Sequence, residues 1–224
     1  MAFMDDLKTD QRTQILVAGI VFFAISFPLY FNYAASNVDE FEASGPIGNY
    51  SVEGTYSYHE IAAGSQYIED GSTVEIIANS DSAGDEIKGK NLVGVRATLT
   101  YTDDETAGGG LTCVNYQAAD DLVEAQLEYP EMMPAYGQVL SGESIAVEWH
   151  LSDIVGTTVS NMSESGIRML LDGDGMGVGE HYLDISVSVV EGSGAGNCQT
   201  SDNGEEVAYT IELISLEYTI TAVE

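Results

Sequence analysis

Residues Asn91–Tyr101 read NLVGVRATLTY, and their apolar side chains occupy every second position. Successive side chains of a β-strand point to opposite faces, so a period of two predicts a strand with one buried face. The same period recurs in residues 123–129, 145–151 and 183–189. These segments therefore predict a sheet that covers a core.

Weaker strand patterns lie at residues 50–58 and 74–78, and a long one runs from Val207 to Val223. Clusters of Gly, Asp, Asn and Ser separate the strands, at residues 107–110, 172–179 and 192–204. Seven or more short strands joined by such loops are typical of an all-β antiparallel β-sandwich, either jelly-roll or immunoglobulin-like.

The last strand pattern changes parity along its length. Its apolar set passes from odd positions, ending at Leu213, to even positions, beginning at Ile214. A shift of one residue reverses the face of every later side chain. We therefore expect a bulge, or a bend from one sheet to the other, near Leu213–Ile214.

One N-terminal segment is apolar enough to enter a membrane. Residues 15–35 contain 21 residues without a charge, and about 20 suffice to cross the hydrocarbon core. Lys8 and Arg12 precede the segment, and no Lys or Arg follows until Lys88. Because positive flanks stay inside, a single-pass chain in the cell membrane is expected, with a cytoplasmic N terminus and an extracellular C-terminal domain.

This interpretation divides the chain into a cytoplasmic tail (1–13), a transmembrane helix (14–36), a stalk (37–48) and an extracellular β-sandwich (49–224). Two alternatives stay open for the apolar segment. Pro28 leaves a 13-residue core before it, as in a cleavable signal peptide, with a small-residue cleavage site at 34–36. The helix could also form the core of a type IV pilin-like filament.

The charge balance is strongly acidic, with 37 Asp and Glu against 6 Lys and Arg and a net charge of −31. Nucleic-acid binding requires clustered Lys and Arg, so this class of function is excluded. The composition resembles that of surface proteins of salt-adapted or marine archaea. That resemblance implies an acidic surface that keeps the protein soluble in a salty medium.

A second resemblance concerns the order of the strands. The segments LVGVRATLTYTDD, LVEAQLEYP, EHYLDISVSVV and YTIELISLEYTI follow one another within residues 91–223. Their strand patterns resemble those of the jelly-roll modules of secreted proteases, such as the P domain of proprotein convertases. The resemblance implies a jelly-roll that stabilises or binds and does not catalyse.

Cysteine and asparagine positions indicate modifications of an exported chain. Cys113 and Cys198 are the only cysteines, and we expect a disulfide between them, with two free thiols as the alternative. Asn49-Tyr50-Ser51 and Asn161-Met162-Ser163 match the N-glycosylation acceptor pattern. Both asparagines are therefore candidate sites of a glycoprotein.

Calcium is the one cofactor that the acidic loops suggest. The run from Asp172 to Glu180 is not an EF-hand, because Met176 and Leu183 stand where oxygen ligands are needed. Scattered loop carboxylates could hold one ion instead, and an acidic solvated loop is the alternative. The candidates are Asp103, Asp104, Asp120, Asp121, Asp172 and Asp174.

No motif of a catalytic site occurs in the chain. It has no Gly-x-Ser-x-Gly elbow, His-Glu-x-x-His helix, phosphate-binding Gly-rich loop with Lys, or Cys-x-x-Cys pair. His59, His150 and His181 cannot be grouped by spacing. The sequence therefore predicts a protein that is not an enzyme.

The predicted function is structural, adhesive or binding, at the cell envelope, in contact with surface-layer protein, glycan or another membrane subunit. A pilin-like or archaellum-associated filament or stator subunit is one alternative, and the plan of helix and outer sandwich is similar to archaellum stator proteins. An accessory β-module of an exported enzyme complex is the other.

Overall fold

The computed structural model describes residues 11–36, 45–102, 106–108, 113–117, 119–130, 132–190, 192–196 and 199–223. The chain forms two compact units, of which the first ends at Pro46 and the second begins at Ile47. Most of the predicted cytoplasmic tail and stalk lies outside the described residues.

The first unit contains the helix α1, Gln11–Ser36. Its 26 residues give a length of about 39 Å at 1.5 Å per residue, and Pro28 lies inside it. The window Thr13–Tyr30 is long and apolar enough to cross a membrane. A signal sequence would have the same length and composition, so the helix fits both an anchor and a cleaved export signal.

The second unit is mainly β-structure. Its described strands are β1 (Gly48–Glu69), β2 (Thr73–Asn79), β3 (Leu92–Thr100), β4 (Thr106–Gly108), β5 (Cys113–Gln117), β6 (Leu122–Glu128), β7 (Ala135–Gln138), β8 (Ser144–Glu148), β9 (Thr158–Met162), β10 (Glu180–Ser188), β11 (Ser193–Gly196), β12 (Gln199–Ser201) and β13 (Gly204–Val223). The helix α2 (Glu164–Leu171) and two 3-10 segments, Ser80–Ile87 and Ser152–Ile154, lie between strands.

Two antiparallel sheets form the body of this unit. Sheet A has the order β8-β3-β13-β1-β9, and sheet B has the order β2-β10-β6-β7. Leu99 and Ile211 of sheet A belong to the same buried cluster as Leu127, Leu183 and Ile185 of sheet B. The sheets therefore pack face to face, and the predicted antiparallel β-sandwich is confirmed.

The strand pairing is nested. Strand β1 pairs with β13, β2 with β10, β3 with β8 and β6 with β7, so each early strand meets a correspondingly late one. A long antiparallel hairpin rolled over itself produces this order, which is that of a jelly-roll. Of the two predicted sandwich types, the structure has the jelly-roll arrangement.

A register shift occurs beside the expected position, between Ile214 and Ser215 in the pairing with β3, but the extra residue is not on the last strand. The alternative, a bend from one sheet to the other, is wrong. Strand β13 stays in sheet A and pairs with β1 in unbroken register through Leu213 and Ile214. The extra residues lie on its neighbours, as Ile61 on β1 and Val93 on β3. The change in apolar parity therefore has another cause.

That cause is a second buried layer on the outer face of sheet A. Ile214 and Leu216 pack with Ile167 and Leu171 of α2 in a cluster separate from the main core. Ser163 caps α2, and its hydroxyl oxygen accepts a hydrogen bond from the Gly166 amide at 3.2 Å. The odd residues of β13 face sheet B in its first half, and the even residues face α2 in its second half.

Two long connections of the second unit pair with each other. Strand β11 pairs with β5, and Gly196 lies opposite Cys113; strand β12 pairs with β4, and Gln199 lies opposite Gly108. Cys198 lies outside the described residues, so the predicted disulfide stays a prediction. Of its described neighbours, Gly196 pairs with Cys113 itself and Gln199 pairs with Gly108 of β4.

Candidate functional site

Four connections of the jelly-roll meet at one end of the sandwich. The turn after β1 is tied to the loop before β13, because the Asp70 amide donates to the Asn203 carbonyl at 2.9 Å. It is also tied to the end of β10, because Asp70 Oδ1 accepts from the Val189 amide at 2.9 Å. The segment before β6 joins them, because Asp121 Oδ1 accepts from the Val190 amide at 2.8 Å.

Three carboxylates converge at this end. One oxygen from each of Asp121, Asp202 and Glu205 lies within 4.8 Å of the others. Asp121 is 3% exposed and Glu205 is 0% exposed. Asp202 Oδ1 accepts from the Gly204 amide at 3.1 Å, which fixes this side chain at the entrance to β13. We call these three residues the acidic cluster.

The strand geometry places Glu205 in the interior. Glu205 has the same parity as Val207 and Ile211, which are fully buried in the core. The preceding Gly204 has a φ of +142°, and a Cβ there would lie 2.1 Å from the Ile68 carbonyl oxygen. Glycine therefore permits β13 to begin so close to β1, and Glu205 lies directly opposite Ile68.

The negative charge of this end acts on a neighbouring phenol. The pKa of Tyr101 is raised, first by its burial and then by Asp120, Glu205 and Asp121, while the Ser141 hydrogen bond opposes the rise. A raised tyrosine pKa is the expected response to nearby carboxylates.

The acidic cluster has the chemistry of a divalent-cation site. Ca²⁺ binds carboxylate oxygens at about 2.3–2.6 Å, so two oxygens on opposite sides of one ion lie about 4.6–5.2 Å apart. The three oxygens of the cluster fall within that span. Carboxylates buried side by side repel one another, and a cation would offset that cost.

The described members of the six predicted calcium ligands lie at opposite ends of β6. Asp121 belongs to the acidic cluster and Asp120 is exposed beside it, whereas Asp103 and Asp104 lie outside the described residues. Asp172 and Asp174 belong to the loop that contacts Tyr129 through the Gly177 amide, and Tyr129 follows the opposite end of β6.

Asp172 and Asp174 have other surroundings. Asp172 Oδ1 accepts a hydrogen bond from the Tyr218 hydroxyl at 2.6 Å. Burial and then this hydrogen bond raise the pKa of Tyr218 to about 12, although Arg168 lowers it. Asp174 is exposed and has a φ of +48°. Neither carboxylate belongs to the acidic cluster.

Sequence reasoning missed Asp202 and Glu205. Both lie about 80 positions after Asp121, and only the nested strand order brings them to the same end of the sandwich. The sequence nevertheless contains a signal for Glu205, because this acidic residue occupies an inward-facing position of the strand pattern.

The three histidines have different surroundings. His59 Nε2 lies 2.9 Å from Ser215 Oγ, and His150 Nε2 lies 3.0 Å from the Tyr56 hydroxyl. His181 is fully buried, and its ring stacks on Tyr129 with centroids 5.0 Å apart. Each histidine therefore belongs to its own local network.

The stability of the domain is expected to fall on acidification because of His181. Its Nε2 lies 3.1 Å from the Gly177 carbonyl and donates to it, so Nδ1 of the neutral ring is buried without a partner among the described residues. Burial holds the pKa of His181 below the ordinary 6.5, although the Gly177 bond opposes this shift. The unfolded chain therefore takes up a proton first as the pH falls.

Below about pH 6.5 this difference lowers the free energy of unfolding by up to about 1.4 kcal/mol per pH unit, until the folded pKa is reached. Urea unfolding at pH 7.5, 6.5 and 5.5 measures the slope, and His181→Phe should reduce it. If parent and variant lose stability equally between pH 6.5 and 5.5, His181 is not the cause.

Both predicted glycosylation sites are accessible. Asn49 is exposed near the start of β1. Asn161 is exposed near the end of the edge strand β9, with a φ of +57°. Exposure permits a glycan at either asparagine, and modification stays a prediction.

No protein-family model matches the chain, and no match to it occurs among the curated proteins.

Proposed function

We propose that the chain is a membrane-anchored jelly-roll domain of the cell envelope with a structural, adhesive or binding role, and that calcium fastens one end of it. The convergence of Asp121, Asp202 and Glu205 carries the calcium part of this proposal. Asp121 precedes β6 of sheet B, whereas Glu205 belongs to β13 of sheet A. One ion would therefore join the two sheets and hold the loops at that end for contact with a partner.

A calcium titration of the full chain in an uncharged detergent tests this site. After chelation and removal of the chelator, Ca²⁺ at 100 times its Kd is expected to stabilise the domain by about 2.7 kcal/mol. For a domain of this size the melting temperature should rise by about 5–10 °C. An unchanged melting temperature in millimolar Ca²⁺, with no heat of binding, would contradict the site.

Several features support the anchoring. Helix α1 is long and apolar enough to cross a membrane, and Lys8 and Arg12 precede its apolar part. By the positive-inside rule, the proposed orientation has a cytoplasmic N terminus and an extracellular sandwich. The acidic composition and the resemblance to archaeal surface proteins and P-domain-like modules fit an exported binding module.

Mass analysis of the mature protein from its native membrane separates the alternatives. An intact Met1 or Ala2 terminus supports the anchor, and a terminus near Ser36 would identify a cleaved signal peptide. Processing within the first fifteen residues would instead favour a pilin-like filament subunit. An accessory module of an enzyme complex would retain a stoichiometric partner after mild extraction.

A further inference from the structure

Sheet A shows how this domain accommodates arginine. The Arg96 guanidinium carbon lies 3.4 Å from the centroid of the Tyr58 ring, and its Nε donates to Glu212 Oε2 at 2.7 Å. The guanidinium thus stacks on a phenol and pairs with a carboxylate on the same sheet face. This arrangement combines a cation–π contact with a charge-assisted hydrogen bond.

A second arginine repeats the arrangement. Arg168 donates to Glu164 Oε1 at 2.6 Å, and its guanidinium carbon lies 5.8 Å from the centroid of the Tyr218 ring. Lys90 pairs with Glu217 of β13 at 2.7 Å. Three of the four cationic side chains after Ser36 therefore neutralise carboxylates on sheet A or on the helix that covers it.

The outer face of sheet B carries the tyrosines and carboxylates without the arginine. We define this surface, the sheet B face, by the residues that alternate with the buried ones: Thr73, Glu75, Ile77, Glu124, Gln126, Glu128, Tyr136, Gln138, Tyr182, Asp184 and Ser186. Four of them are acidic, and the set contains no Lys, Arg or His.

The acidic residues of the sheet B face are placed against each other. Glu75 lies directly opposite Asp184 in the β2–β10 ladder. Asp184 in turn lies opposite Gln126 of β6, which Glu124 and Glu128 flank on the same face. Like charges directly across a ladder destabilise a sheet, so a cation bound here would relieve a cost that the free domain bears.

Two adjacent hollows occur on this face. One is lined by Glu75, Gln126, Glu128, Tyr182 and Asp184, and the other has Glu124, Tyr136 and Ser186 together with the shared Gln126 and Asp184. Each hollow therefore offers one tyrosine and at least two carboxylates.

The phenols of these hollows already respond to nearby carboxylates, one within the hollows and one, Glu180, outside them. The Tyr136 hydroxyl donates to Glu124 Oε1 at 2.9 Å, and this hydrogen bond raises the pKa of Tyr136. The Tyr182 hydroxyl donates to Glu180 Oε2 at 2.7 Å, which raises the pKa of Tyr182. The rings stay neutral at physiological pH and can stack with a cation.

We infer that the sheet B face docks a polypeptide partner through two arginine side chains, one against Tyr182 and one against Tyr136. Each would complete the arrangement that Arg96 completes with Tyr58 and Glu212. Arginine fits better than lysine, because its planar guanidinium can stack on a ring and donate to a carboxylate at the same time. The inference rests on the proposed binding role at the cell envelope, which is where the partner would be located. It does not involve the acidic cluster.

A labelled peptide tests the docking surface on the full chain in an uncharged detergent. The probe is a capped hexapeptide with arginine at alternate positions and serine between them, titrated by fluorescence anisotropy in chelator. The variant Glu75→Gln/Asp184→Asn is expected to bind it about tenfold more weakly, which corresponds to the loss of one charge-assisted contact. The control Glu53→Gln/Glu60→Gln removes the same charge from exposed positions on β1 and should change binding less than twofold.

Three outcomes would overturn the inference. Equal loss in both double variants would mean that the net charge alone attracts the peptide. If a peptide with citrulline in place of arginine binds equally well, the positive charge is not what the surface recognises. If a peptide with lysine in place of arginine binds equally well, the guanidinium group is not required. Because the titration is done in chelator, its failure would leave the calcium proposal untouched.

Discussion

The Glu205→Gln variant is expected to melt above the parent protein in chelator and below it in calcium. Glutamine keeps the shape of the side chain and removes a charge that is fully buried beside Asp121 and Asp202. Without the ion, this removal relieves repulsion between carboxylates. With the ion, it removes a ligand, so most of the stabilisation of about 2.7 kcal/mol at saturating calcium should disappear.

The measurement is thermal unfolding of parent and variant in chelator and in millimolar Ca²⁺. Glu206→Gln is the matched control, because Glu206 is exposed on the opposite face of the same strand and accepts a hydrogen bond from the Ser65 hydroxyl. The control should keep the full calcium shift. A Glu205→Gln protein that responds to calcium like its parent would show that the acidic cluster is not the site.

The strands with clear period-two patterns could be predicted from sequence because their burial is one-sided. Strands β6 and β10 occupy Leu122–Glu128 and Glu180–Ser188, beside the predicted segments. Their buried residues alternate with exposed or half-buried ones over most of each strand. For such strands, the residue pattern alone reports the face that meets the core.

Strand β13 shows where that argument fails. Its inward set is odd as far as Leu213, and its apolar set is even from Ile214, because α2 covers the other face of sheet A. A strand that buries one face in its first half and the other face in its second half has the same sequence pattern as a strand with a bulge. The helix itself was missed, because its eight residues are too few for the apolar residues at helical spacing, Ile167 with Leu170 and Leu171, to repeat.

The candidate site could not be predicted from the pattern of residues along the chain, because the strand topology brings its members together. Asp121 was identified as a loop carboxylate, but its partners follow β12, and the nested strand order decides which loops share an end. The same order separates Asp172 and Asp174 from Asp121, although all three belong to acidic loops. The spacing of residues along the chain does not show which distant segments come into contact in the folded structure.

Replacing Cys113 and Cys198 together by serine is expected to lower the free energy of unfolding by about 4.5 kcal/mol. A disulfide between them would close a loop of about 86 residues and restrict the unfolded chain, as the chain-entropy model describes. The backbone supports this pairing, because Gly196 and Gln199 lie opposite Cys113 and Gly108. A bridge would therefore join two segments that the strand ladders already hold together.

Urea unfolding of parent, double variant and reduced parent measures the effect, and alkylation without reductant counts the thiols. The reduced parent should unfold like the double variant, and the oxidised parent should label at neither cysteine. Two labelled thiols would show that the bridge does not form. If it forms, calcium should also bind more weakly in the double variant, because Asp202 follows β12 directly and would lose the constraint on the segment before it.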